Sequence, residues 1–202
     1  GVRGQEGDEL FSETRHDFGV VPRGIVLIHR FRWENRTNSR LEVREVRTSR
    51  PEVQTQVWPR SLEPGGVGYV EVEVDGRRWS GEKTAWVQLQ IEPGPRVVVL
   101  WGRVYCRGDV FAQPGSIRFV GQDAGQTAEQ TLNLEYTGPL DWRIVEVHNP
   151  YPFLSVYVEP LYQRPQEVGY RLRVRLGEQA PIGNWLATLT LRTNEPSLPY
   201  LN

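Results

Sequence analysis

Val70-Glu71-Val72-Glu73-Val74 alternates apolar and charged side chains residue by residue, and Leu172-Arg173-Val174-Arg175-Leu176 does the same about a hundred positions later. A period of two sends the apolar set to one face of an extended strand and the charged set to the other. Leu41-Glu42-Val43-Arg44-Glu45-Val46 and Trp86-Val87-Gln88-Leu89-Gln90-Ile91 read similarly, the former with a bulge expected at Arg44-Glu45. Between such stretches lie turn formers: Val21-Pro22-Arg23-Gly24, Glu34-Asn35-Arg36-Thr37-Asn38, Pro64-Gly65-Gly66, Asp75-Gly76 and Pro93-Gly94-Pro95. Short strands separated by regular turn signals make the pattern of a β-sandwich. No window free of Gly and Pro carries a helical apolar stripe, so helix is expected to be almost absent.

Working outward, the chain resembles itself. Shifted by 101 positions, it superimposes without a gap over about forty residues: Phe18 falls on Phe119, Trp33 on Leu134, Leu41 on Trp142, Val43 on Ile144, Pro51 on Pro152 and Val57 on Val158. After one inserted residue, Val70, Val72 and Val74 meet Leu172, Val174 and Leu176. A period of this size is that of a whole sandwich domain rather than a solenoid unit. The fold class expected is therefore all-β, with two tandem immunoglobulin-like β-sandwiches. The first is placed at 1–107 and the second at 108–202. Strands are expected near 13–19, 25–34, 40–48, 52–58, 67–75, 83–91 and 96–106, then near 115–120, 127–136, 141–148, 153–159, 168–177, 184–193 and 198–202. Leu198-Pro199-Tyr200-Leu201-Asn202 only begins the last of these, so that strand is expected to be incomplete, with an unpaired edge.

Length and composition agree. The 202 residues allow one large domain or two small ones, and the 38% hydrophobic content supplies cores. A formal net charge of −1 gives no bulk drive toward nucleic acid or anionic lipid. No apolar run is long enough to span a bilayer as a helix. A single cysteine, Cys106, excludes an intrachain disulfide and a Cys-rich zinc site.

Several motifs together resemble a known family. Asp17-Phe18-Gly19 precedes the turn at Pro22-Arg23-Gly24, and Phe31-Arg32-Trp33-Glu34-Asn35 leads into Leu41-Glu42-Val43. Leu62-Glu63-Pro64-Gly65-Gly66-Val67-Gly68 comes before an alternating strand, and Thr193-Asn194-Glu195-Pro196 lies near the end of the second copy. The set is similar to the bacterial relatives of the ASH (Hydin-like) domain, an immunoglobulin-like sandwich akin to the major sperm protein fold. Members of that branch often carry a Ser-Cys-Gly-Cys element, whereas this chain reads Thr48-Ser49-Arg50-Pro51 and Asn149-Pro150-Tyr151-Pro152 at the matching places. The departure removes any thiol or metal role of that element. The resemblance implies a scaffold or adhesion module, secreted or associated with the cell envelope, without catalysis.

Chemistry-bearing residues are sparse. His16, His29 and His148 are read as too scattered for a zinc centre, and no Gly-x-Ser-x-Gly nucleophile elbow exists. No catalytic, cofactor or metal residues are therefore assigned. Arg107-Gly108-Asp109 matches the tripeptide recognised by some integrins, but it stands where the hinge between copies is expected. Asn35-Arg36-Thr37 fits the glycosylation pattern, and turn chemistry explains it equally well. Trp33, Trp86, Trp142 and Trp185 are read as core. Trp58, Trp79 and Tyr151 flank turns and form one candidate interaction surface. Arg171, Arg173 and Arg175 form another, a basic strand face whose counterpart in the first copy carries Glu71 and Glu73. The function expected is a non-enzymatic structural or protein-binding module of a larger extracytoplasmic protein, with an unidentified protein partner. The alternative is a carbohydrate-binding or accessory region of an extracellular enzyme, with a glycan as ligand. No nucleic acid, no cofactor and no direct membrane insertion are expected.

Overall fold

A computed structural model describes residues 8–120 and 125–202. It is built almost wholly from β-strands, with one 3-10 turn at Asp8–Leu10, and no helix among the described residues is long and apolar enough to cross a membrane. The chain divides into two compact units. One contains the chain up to Phe18, Leu27–Asp75 and Lys83–Val104; the other contains Gly19–Val26, Gly76–Glu82 and Tyr105–Asn202.

In the first unit, β2 (Val26–Glu34), β6 (Val67–Asp75) and β4 (Val53–Trp58) make a sheet in the order β2-β6-β4. A second layer runs β8-β7-β3-β5, from β8 (Arg96–Gln113), β7 (Gly81–Glu92), β3 (Leu41–Thr48) and the short β5 (Ser61–Leu62). Strand β1 (Arg15–Arg23) pairs with β8. The alternation at Val70–Val74 works as read: the three valines are buried and the glutamates between them are half-buried. Phe31 and Trp33 of β2, Leu41 and Val43 of β3, Val87, Leu89 and Ile91 of β7, and Val98 and Leu100 of β8 fill the core. Each such side chain withdrawn from water contributes about 1.5–3 kcal/mol before chain entropy is charged against it. Trp33 is packed so closely that a Cβ on Gly68 would lie 2.7 Å from its Nε1, which is why that buried position is glycine.

In the second unit, the end of β8 borders β9 (Ala128–Thr137), followed by β12 (Glu167–Leu176) and β11 (Leu154–Arg164), in the order β11-β12-β9-β8. The facing sheet is β10 (Ile144–His148), β13 (Thr190–Thr193) and β14 (Tyr200–Leu201). Val110, Ala112, Leu134, Tyr136 and Leu172 from one layer close on Leu191 and Leu201 from the other, with Trp142 between them. A smaller cluster gathers Leu154, Val174 and Leu176 with Tyr151, Phe153 and Trp185.

The same pairings recur in both units at the spacing seen in the sequence. Val53↔Val74, Thr55↔Val72 and Val57↔Val70 in β4–β6 correspond to Leu154↔Leu176, Val156↔Val174 and Val158↔Leu172 in β11–β12. The expected bulge lies between Val43 and Glu45, and its counterpart lies between Ile144 and Glu146. The extra residues, Arg44 and Val145, are pushed outward and exposed.

Four expectations need correction. The first concerns 115–120, where no strand forms: Val110–Gln113 take the place beside β9, and Ile117 and Phe119 pack as side chains instead. Next, of the stretch 184–193 only Thr190–Thr193 is strand, while Trp185, Ala187 and Leu189 plug the smaller cluster. Third, Arg107-Gly108-Asp109 is not a hinge, because it lies inside β8. The division into units accordingly falls after Val104 rather than after Arg107, and two earlier segments join the second unit. Finally, the edge at β14 is not bare, for the Asn202 amide donates to the Val20 carbonyl at 2.9 Å.

Candidate functional site

The basic face of β12 is real, but its charges are largely engaged. Leu172, Val174 and Leu176 point into the core, so Arg171, Arg173 and Arg175 point out. Arg173 Nε lies 2.7 Å from Glu159 Oε1 on β11, and its guanidinium stacks 5.2 Å over the ring of Tyr157. Arg171 donates to the Asn133 side chain at 3.4 Å. The matching outward position of the first unit holds Glu71, which accepts from Arg30 at 2.9 Å. Opposite signs thus occupy equivalent places, and each is answered within its own sheet.

The aromatic surface does not assemble as expected. Trp79 is buried, its amide held by Gly76, so it offers nothing to a partner. Tyr151 is half-buried in the smaller core cluster, packs on Phe153 and accepts from the Thr188 amide. Trp58 stays partly open on its strand. It packs beside its cross-strand neighbour Tyr69 and under the Arg30 guanidinium, 5.5 Å from the ring centre. Cys106 is buried, and Arg107 is fixed in a network with Asp109 and Glu195.

What remains open lies at the margins of the sheets. Strand β11 ends the order of its sheet and pairs only with β12 among the described residues. It carries exposed Tyr157 and Leu161, and its register shifts between Pro160 and Tyr162. A shallow depression of about 110 Å³ on β3 and β7 is lined by Glu45, Arg47, Gln88 and Gln90, well below the roughly 300–1,000 Å³ of a small-molecule pocket.

The fold brings two of the three histidines together. His148 is exposed, but His16 on β1 and His29 on β2 stack face to face, with ring centres 3.5 Å apart and planes 9° from parallel. Glu13 Oε1 lies 2.5 Å from His29 Nε2, and Phe18 and Phe31 press their edges against the pair. Burial lowers the His16 pKa and so does the neighbouring His29, against the upward pull of the Glu13 and Asp17 carboxylates. One donor atom from each of Glu13, His16 and His29 lies within 4.8 Å of the others. No local pattern announces the pair, because His16 and His29 belong to strands of different sheets.

Residues 10–104 match a family described as a protein of unknown function, DUF1573. No curated protein matches the chain. Among solved structures, the VesB protease of Vibrio cholerae aligns with a TM-score of 0.41 at 15% identity, over 50% of this chain and 33% of that one. The chain therefore spans about a third of that protease. A protein of unknown function from Porphyromonas gingivalis W83 aligns with a TM-score of 0.36 at 15% identity, over 95% of this chain and 94% of the other. The CupB2 chaperone of Pseudomonas aeruginosa aligns at 0.33 and 14% identity, over 94% and 96%.

Proposed function

We propose that this chain is a non-enzymatic, protein-binding module of a larger secreted or cell-envelope protein, made of two tandem copies of an ASH-like immunoglobulin sandwich. The recurrence of register and bulge supports duplication. The ASH kinship rests on the quoted motifs. One observation carries the binding reading: β11 presents an open main-chain edge with exposed Tyr157 and Leu161 on it. An extended segment of a partner can add to such an edge, with main-chain hydrogen bonds giving affinity and flanking side chains giving selectivity.

A photo-crosslinking side chain at Ser155, at the start of β11, tests this in the source cells. A discrete protein adduct is expected, reduced by Leu161→Glu and absent when the crosslinker stands at Glu178. Equal labelling from both positions, or none, overturns the reading. The glycan alternative keeps only Trp58 with Tyr69, and glycan-array binding abolished by Trp58→Ala would favour it.

A further inference from the structure

The cluster of Glu13, His16 and His29 plays no part in the proposed binding edge, and core packing does not require its composition. We propose that these three side chains form a site for a borderline divalent metal ion, with zinc as the fitting occupant, that ties β1 to β2 at the margin of the first unit. Two imidazole nitrogens and one carboxylate oxygen are the donor set of an open zinc site, which leaves a fourth position for water. Imidazole nitrogen favours ions of this borderline class over calcium or magnesium.

The arrangement has the features that capture requires. His16 lies on β1, which pairs with β8, whereas His29 lies on β2, the end strand of the other layer, so a bound ion would join two strands between which no ladder runs among the described residues. Glu13 is 42% exposed at its side chain, so an ion can enter from solvent. Asp17 adds a second carboxylate charge near His16, favouring a cation. Tetrahedral zinc with bonds of about 2.0–2.1 Å needs donor separations of about 3.3 Å. The donor atoms, now within 4.8 Å of one another, have only a short way to close to that separation. Parallel rings send their lone pairs in parallel, so binding turns the two imidazoles out of their stack, and the 2.5 Å contact between His29 and Glu13 opens to admit the ion.

The test uses the whole chain, free of any histidine tag and stripped with chelator, titrated with Co²⁺ and then with Zn²⁺. One Co²⁺ per chain is expected, with visible bands of the intensity given by four- or five-coordinate sites, and Zn²⁺ should displace it. His16→Gln and His29→Gln should each weaken binding about 100-fold or more, and Glu13→Gln about tenfold, in the range by which even outer-shell changes alter metal sites. His148→Gln should leave it unchanged. If a variant does not fold, imidazole NMR signals of the wild type decide the matter: Zn²⁺ should shift His16 and His29 and spare His148. Weak octahedral-type bands only, wild-type affinity in both histidine variants, or a response confined to His148 would overturn the proposal and leave the pair as packing alone.

Discussion

Arg107 and Glu195 meet at 2.7 Å although 88 positions of sequence separate them. The same guanidinium holds Asp109 through two further hydrogen bonds of 2.9 and 2.7 Å. Its side chain is only 2% exposed, while those of Asp109 and Glu195 are 41% and 24% exposed. The asymmetry matters because a carboxylate near the surface can regain water, whereas the buried cation cannot.

Removing the anions should therefore cost more than removing the cation. Asp109→Asn combined with Glu195→Gln strands the buried charge and should lower stability by about 3–5 kcal/mol. Arg107→Met should cost clearly less. Denaturant titration of the three proteins checks the order, and a larger loss for Arg107→Met would contradict it.

Tyr162 donates its hydroxyl to Glu135, and this bond, with burial, pushes its pKa up to about 12 from an ordinary value near 10. The folded state thus favours the protonated phenol. Its contribution is complete below about pH 10 and is lost as the pH climbs through about 12. Wild type should lose stability across that interval faster than Tyr162→Phe, whose slope should be flatter. Denaturation midpoints at successive alkaline pH values read this directly.

Gly24 has φ +91°, and a Cβ there would stand 2.6 Å from the Ala112 carbonyl oxygen and 2.8 Å from the Phe111 ring. Gly24→Ala should cost about 2–4 kcal/mol, combining left-handed strain with displaced backbone. Gly65, at φ +81°, has nothing within 4 Å of that position, so Gly65→Ala should cost only about 1 kcal/mol. Equal losses would show that the contacts around Gly24 are unimportant.

Leu191 and Val145 lie on the neighbouring strands β13 and β10, yet one is core and the other is the exposed extra residue of the bulge. Leu191→Ala should lower stability by about 2–5 kcal/mol. Val145→Ala should change it by less than about 0.5 kcal/mol. Melting of the two variants beside wild type makes the comparison.

Period and turn chemistry made the strands legible where burial is one-sided. Val67–Asp75 was expected at those very limits, and the Arg44-Glu45 bulge was visible because Val43 and Val46 break the alternation. Legibility failed where tertiary pairing outweighed local pattern. Nothing local in Arg107-Gly108-Asp109 says that β8 continues through it, and the residues that follow, Val110–Gln113, find their partners on β9, some twenty or more residues further on. Trp79 looked exposed because it adjoins a turn, but the chain folds back and buries it. The stacked histidines escaped because 13 residues separate them and they belong to strands of different sheets. Such a juxtaposition is set by how layers close, which periodicity does not encode.

Pro160 sets a length. From Leu154 to Glu159 the β11 edge runs straight, and beyond it proline has no amide to donate and the ladder slips. At about 3.3 Å per residue, the usable rail is roughly 20 Å long. A guest strand of about six residues fits it, and past that length side-chain contact, as at exposed Leu161, replaces main-chain pairing.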